Sequence, residues 1–553
     1  MTAPSIDFAK LFASFDLLMQ ARRGPAAYYV PLLRADDEIV RFGAFCQALS
    51  LGVLPPDRYE EAIGLAIHPA IKQRAFDFFK SKLNYDAAER VALTEIGSTD
   101  PALTAAMLAS LRSDHQHLLA SAAERYRTTG NLGDLVRAAR AAEAQAGWRV
   151  AMDWLVRAGA IAPLDPGPFN ELFRVLVAAN QFDAVDRLGR LLGRAALHPY
   201  LVAVYTAAAK LGRADAKAAH SQLQSLQPPR DLNAWALRDA RGYALQTLGA
   251  ALDKLGKYED AHKAYIEMNR HDRAADVDPE RAIQTAREFE AMTLPSLPPA
   301  RDDIVSMLGF ARSGTTLLEI ALDAHPAIEA FEESVALDIA QAQISAARRT
   351  GTTGNDPAAF FEAARLRYFS EIDRLRRKPD ATVLVDKYPM RGLYAKFTQR
   401  FLPAQRSIFC IRHPYDVVLS CFRQRFNANP GMESFREWKT GIELYDFVMT
   451  EWFACHSFTE SNVHYIRYDD LVADFQSAVG RVLDFVGVPW DDQVMSFAAA
   501  ANDKAALTPS YQKIRQGLSL GVQTYWRNYR FLFDRSDAEP LRRWAQHFGY
   551  PTE

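Results

Sequence analysis

The pattern of apolar and polar positions changes once along the chain. Up to about residue 290, Ala, Leu and Arg dominate and β-branched runs are few, which predicts helix after helix. The segment AMTLPSLPPARDD, Ala291–Asp303, has three prolines in a short stretch and reads as a linker. Beyond it, β-branched and aromatic runs alternate with amphipathic stretches, which predicts βα units and a mostly parallel sheet. Four strands are expected: Ile304–Leu308, Thr382–Val385, Ser407–Ile411 and Val463–Arg467. The expected organisation is a helical region over 1–130, helical repeats over 131–290, a linker over 291–302 and an α/β domain over 303–553.

The helical half repeats itself. The clearest copy, ending at Met268, carries Leu248-Gly249, Leu252, Gly256, Tyr258, Ala261 and Tyr265. It resembles the tetratricopeptide pattern, in which small residues let two antiparallel helices approach and large ones fill the gaps. Weaker copies run from Phe169 through Leu172, Leu176, Phe182 and Val185 to Pro199, and around Gly212. Trp148 and Ala151 hint at another. The plainer alternative is a generic helical bundle. Stacked repeats form a concave groove that often binds peptides; the other reading is that these helices only pack against the second domain.

Composition narrows the classes. Of 553 residues, 49% are apolar and 24% charged, ordinary for a globular chain and outside disordered or coiled-coil compositions. With 65 basic and 67 acidic residues the net charge is -2, which argues against a nucleic-acid binder. Cys46, Cys410, Cys421 and Cys455 form no CxxC pair, so neither a zinc site nor a redox motif is expected, and scattered thiols suit a reducing compartment. The first residues lack the basic end and apolar run of a signal peptide, and no stretch reaches the ~18 apolar residues of a membrane span. A cytoplasmic protein is expected.

Candidate chemistry begins directly after the linker. Asp303–Leu318 reads DIVSMLGFARSGTTLL: a short apolar strand, a loop over Gly309–Gly314, then a helix from Thr315 that stops at His325-Pro326. Strand, glycine-containing loop and helix together point backbone N–H groups and the positive end of the helix dipole at a phosphate. Gly314 permits close approach, and Ser313, Thr315 and Thr316 add hydroxyl donors. The loop differs from GxxxxGK[ST], because Thr315 stands where the lysine for β/γ-phosphates belongs. A nucleotide with a single 5′-phosphate group suits it better. The other strands each deliver polar residues to the same edge: Asp386 and Lys387, Arg412 with Ser420 on the following helix, and Tyr468. In open parallel sheets, ligands bind beyond the carboxyl ends of the strands.

GFARSGTTLLEIALDAHP and IRHPYDVVLSCF resemble the 5′-phosphosulfate-binding and 3′-phosphate-binding motifs of sulfotransferases that use PAPS, 3′-phosphoadenosine 5′-phosphosulfate. The resemblance covers about 300–550 and is nearest to tyrosylprotein sulfotransferases and bacterial enzymes with tetratricopeptide repeats. It implies a P-loop-like sulfotransferase domain after a tetratricopeptide-like array. By resemblance, Arg312, Ser313, Gly314, Thr315 and Thr316 cradle the 5′-phosphosulfate, while Arg412 and Ser420 hold the 3′-phosphate. Glu333 matches the catalytic glutamate, although the residues alone do not separate it from Glu332. Lys387 matches the lysine that stabilises charge on the leaving oxygen, and Ser510 supports the transferring group. Tyr468, Trp526 and Arg527 are expected near the nucleotide, with Arg515 a weaker phosphate candidate. His325 is read as structural.

The chain departs from the pattern at three places. Gln424, flanked by Arg423 and Arg425, stands where a second phosphate-binding arginine is usual. His413 stands where Asp or Asn is commoner, and Lys513-Ile514 and Gly517 alter the last block. The expected activity is sulfuryl transfer from PAPS to an acceptor hydroxyl on a peptide tyrosine, a sugar or a small phenol. No metal is expected. An ATP-dependent phosphotransferase and a non-catalytic scaffold are the alternatives, and the oligomeric state stays open.

Overall fold

The computed structural model describes residues 162–229, 234–334, 336–350, 356–496 and 525–553, with a few positions between 136 and 159. The helical region expected over 1–130 lies outside the described residues, as do Ser510 and Arg515. The chain forms two compact units, and among the described residues their boundary falls between Thr247 and Leu248.

The first unit contains α1 (Pro166–Ala178), α2 (Phe182–Arg194), α3 (Pro199–Gly212) and α4 (Ala216–Gln224), and most of α5 (Trp235–Lys254). Sequence sets the helix starts: Pro166 occupies the first turn of α1, where its missing N–H costs nothing, and Asp165 accepts from Gly167 N–H at 2.7 Å. The apolar faces bury Phe169, Leu172, Val185, Leu188 and Leu201. One buried polar group, Asn170, is satisfied twice, accepting from Tyr205 Oη at 2.8 Å and donating to Asp239 at 2.7 Å.

The second unit starts inside α5, well before the proline-rich segment. It includes α6 (Tyr258–Asp272) and α7 (Arg281–Glu290) together with the sheet. Gly249 of α5 is a close-approach residue, since a Cβ there would lie 2.6 Å from the Tyr265 ring of α6. Asn269 donates to the Phe422 carbonyl at 2.9 Å, and Phe289 packs edge-on against Phe397 at 4.8 Å. The proline-rich stretch is itself bound down: Ala300 N–H reaches the Pro403 carbonyl at 2.8 Å, and buried Arg365 donates to the Pro298 carbonyl.

The sheet has five strands: β1 (Ile304–Leu308), β2 (Ile328–Glu332), β3 (Val383–Lys387), β4 (Arg406–Ile411) and β5 (Val463–Arg467). Their order is β2-β3-β1-β4-β5, and every pairing is parallel. Strands β1, β3 and β4 are almost wholly buried, which explains their mainly apolar texture. From β1 the chain crosses to β2 through α8 (Thr315–Ala324), whereas β4 leads the other way to β5. The two connections diverge at β1 and β4, which opens a crevice at their carboxyl ends.

Strand β2 is not among the four strands expected from the sequence. Its residue Glu329 is fully buried, and its carboxylate accepts from the N–H groups of Arg377 at 2.8 Å and Lys378 at 2.8 Å. Those donors lie far along the chain, so the sequence shows an acid where the fold holds a satisfied core position.

Asp253 of α5 joins the helices to the rest of this unit. It is buried, accepts from Tyr265 Oη at 2.8 Å and from Tyr529 Oη, and pairs with Arg423. Asp253→Ala leaves that guanidinium uncompensated and is expected to cost about 3–5 kcal/mol. The check is the unfolding midpoint of this unit in denaturant, which should fall much further for Asp253→Ala than for Asp253→Asn.

Candidate active site

The loop after β1 is the centre of the crevice. Gly314 sits at φ +101, and a Cβ there would lie 2.4 Å from the Tyr468 ring, so glycine is required on both counts. Thr315 and Thr316 open α8. Arg312 holds φ +72, uncommon for a side chain larger than glycine, and its Nε donates to Ser420 Oγ at 3.1 Å. Arg412, the residue after β4, donates to the Arg312 carbonyl at 3.3 Å and lies 4.6 Å over the Tyr468 ring. The structure therefore brings together Arg312, Gly314, Arg412, Ser420 and Tyr468, from the ends of three strands and the helix α9 (Pro414–Phe422). Between them in sequence, Ser313, Thr315 and Thr316 are buried at the start of α8.

This cluster carries positive charge that suits an anion. Burial holds the Arg312 guanidinium below its ordinary range, and neighbouring Arg412 and Arg423 push the same way. Arg412 Nε is buried without a hydrogen-bond partner among the described residues. A phosphate group would answer both conditions, with a charge-assisted bond that Arg412 Nε lacks among the described residues.

Glutamates surround the second cation. Lys387, at the end of β3, is fully buried, with its Nζ 3.3 Å from Glu332, 3.4 Å from Glu319 and 3.7 Å from Glu333. Burial alone would lower its pKa, but the three carboxylates outweigh it and hold Lys387 above its ordinary value. Glu333 is the most open of the three, with its side chain 46% exposed against 10% for Glu332 and 1% for Glu319. Only Glu333 therefore offers a carboxylate to a solvent-borne group. Glu319 was missed in the sequence, where it reads as one acid among the apolar residues of α8.

Several departures acquire a physical reason. His413 does the work of an Asp or Asn cap: its Nδ1 accepts from Tyr415 N–H at 3.2 Å, while its Nε2 donates to the Pro551 carbonyl at 2.8 Å. His325 is built the same way, accepting from Ala327 N–H at 3.1 Å and donating to the Pro489 carbonyl at 2.9 Å. Arg423 pairs with Asp253 and Arg425 with Asp272, so both arginines beside Gln424 are held by carboxylates of the helices. The guanidinium touching Ser420 is instead Arg312.

Trp526 and Arg527 lie beside the helix Pro414–Phe422. The Trp526 side chain is buried among His413, Tyr415 and Phe533, and its backbone N–H donates to Asp416 at 3.0 Å. Arg527 is exposed, with its guanidinium 5.7 Å over the Trp526 ring. Asp386 also departs from expectation, because it faces Tyr368 and Arg391 instead of Lys387's carboxylates. Successive strand residues point to opposite faces.

Burial pushes the Asp416 carboxyl up to about 7, with Arg412 and the Trp526 N–H opposing. The folded state thus holds a proton that the unfolded chain releases near its ordinary value of 3.8. The contribution of Asp416 to stability is fully present below that value and is lost as pH rises toward 7, on the order of 4 kcal/mol in all. Asp416→Asn should flatten this decline in denaturation midpoints measured from pH 4 to 7.

Comparison with known proteins agrees with the motif content. The family model described as "Sulfotransferase family" matches residues 305–492. A Caenorhabditis elegans protein-tyrosine sulfotransferase A is 25% identical over 211 residues, 34% of this chain and 50% of the relative. An uncharacterized Aquifex aeolicus protein is 25% identical over 408 residues, 68% of this chain and 51% of the relative. The chain thus spans about half the length of these curated relatives. Among solved structures, the sulfotransferase domain of a Synechococcus olefin synthase aligns with TM-score 0.36 and 19% identity, over 47% of this chain and 99% of the other. A mouse sulfotransferase complexed with PAP aligns at 0.28 and 15%, over 47% and 93%.

Proposed function

We propose that this protein is a PAPS-dependent sulfotransferase acting on an acceptor hydroxyl. The observation that carries the reading is the meeting of Arg312, Ser420 and Arg412 beside the loop that opens α8. In this reading Arg312, Ser313, Gly314, Thr315 and Thr316 hold the 5′-phosphosulfate. Arg412 and Ser420 hold the 3′-phosphate, with Tyr468 closing over the loop. Trp526 supports α9 from its packed side, and Arg527 stands at the rim.

PAPS supplies an activated sulfuryl group whose bond to the 5′-phosphate oxygen breaks as the bond to the acceptor oxygen forms. Positioning and charge stabilisation supply most of the catalysis in such in-line transfers. Glu333 takes the acceptor's proton, since its carboxylate is the open one. Lys387 stabilises charge on the leaving oxygen, and Ser510 supports the transferring group. The product nucleotide is adenosine 3′,5′-bisphosphate. No step asks for a metal.

The acceptor proposed first is a peptide or protein tyrosine, with a sugar or small phenol next. The relatives that carry a protein-tyrosine sulfotransferase name support that order, as does reading the helices over 131–290 as a tetratricopeptide-like array, joined through 291–302 to a sulfotransferase domain over 303–553. The cytoplasm is the compartment proposed. No helix among the described residues is long and apolar enough to cross a membrane.

Calorimetric titration tests the donor site. Adenosine 3′,5′-bisphosphate should bind at least about tenfold more tightly than 5′-AMP, and Arg412→Ala should erase that difference. A preference for ATP–magnesium would instead favour the phosphotransferase. Turnover tests the base: Glu333→Gln should lower kcat by about 10²–10⁴ with bisphosphate affinity unchanged.

A further inference from the structure

The backbone at Glu333 is held in an unfavourable conformation, with φ +47. A non-glycine residue stays in this left-handed region only where its surroundings over-determine it. Here both flanks of the residue are bound. On one side, the Glu333 N–H donates to the Lys387 carbonyl at 2.7 Å, continuing the register that pairs Glu332 with Lys387. On the other, Ser334 is gripped twice. Its Oγ donates to Asp386 Oδ1 at 2.8 Å, and its carbonyl accepts from Arg391 Nη2 at 2.7 Å.

Asp386 and Arg391 are themselves locked. Arg391 Nη1 donates to Asp386 Oδ2, and Tyr368 Oη donates to the same oxygen at 3.0 Å. Asp386, Arg391, Ser334 and Tyr368 are all buried, whereas the Glu333 side chain is 46% exposed. A rigid, dry base thus carries an open carboxylate. Strand alternation divides the work between neighbours: Lys387 approaches the Glu333 carboxylate on one face of β3, and Asp386 fixes the turn from the other.

From this we propose that Asp386, acting with Arg391 through Ser334, is a positioning residue that holds Glu333 in its left-handed turn and so aims its carboxylate. The proposal rests on Glu333 being the catalytic base. Asp386 itself touches no reacting atom; its effect on turnover runs through Glu333.

The test is a double-mutant cycle. Asp386→Asn and Ser334→Ala are each made alone and on the Glu333→Gln background. Bisphosphate release from PAPS is followed with 4-nitrophenol and with a tyrosine-containing peptide, and bisphosphate binding is measured by calorimetry. Each single variant should lower kcat, Asp386→Asn by about 10- to 100-fold, with nucleotide affinity unchanged. On the Glu333→Gln background neither should lower it further. Equal losses on both backgrounds would overturn the proposal while leaving the sulfotransferase reading intact. A wild-type chain that releases no bisphosphate from PAPS, or a fully active Glu333→Gln, would overturn the reading and the proposal with it. A crystal structure of Ser334→Ala, the milder change, reads the turn without turnover. Glu333 should leave positive φ; an unaltered turn in both Ser334→Ala and Asp386→Asn would overturn the positioning role.

Discussion

A charge removed from water must find a partner inside the fold, and that constraint organises the second unit. Lys387 is fully buried and is met by Glu319, Glu332 and Glu333. One residue earlier, Asp386 is buried on the opposite face of β3 and is met by Arg391, Tyr368 and Ser334. Leaving either charge alone would cost several kcal/mol, so these partners fix how β2, β3 and α8 meet. The end of β2 is caught between the two sets, and Glu333 emerges from that point.

The same rule explains why helices belong with the sheet. Arg423 finds Asp253, and Arg425 finds Asp272, both on the α5–α6 pair. Without those carboxylates two arginines just after the helix Pro414–Phe422 would add to an already positive cluster. The helices thus limit which guanidinium groups remain near Ser420, leaving Arg312 and Arg412 as the ones in contact with the loop and each other. An anion-binding site works by the opposite arrangement to a packed core, because its charges are gathered before their partner arrives. The orphaned Arg412 Nε has that character.

Some of this was legible in the chain. The bounds of β1 and β5, the loop through Gly314 and the helix from Thr315 to the His325-Pro326 stop all follow from local pattern: apolar runs, a glycine, hydroxyl residues and a proline. The grouping of Arg412, Ser420 and Tyr468 beside that loop was also legible, because strand ends in a parallel sheet share one edge. Strand β2 was not, since Ile328–Glu332 is a five-residue segment with acids at Glu329 and Glu332 and no clean alternation, and its Glu329 is satisfied by distant N–H groups. Nor was the burial of Trp526 in an aromatic cluster.

The sequence by itself determined the strand–loop–helix unit through Gly314 and the residue types around it, because such features depend on neighbours a few positions apart. Tertiary structure alone decided which glutamate stays open, that Asp386 and Lys387 serve opposite faces, and that Arg423 and Arg425 are neutralised by the helices. These outcomes depend on which groups lose their water and which partners, dozens or hundreds of residues away, are close enough to replace it.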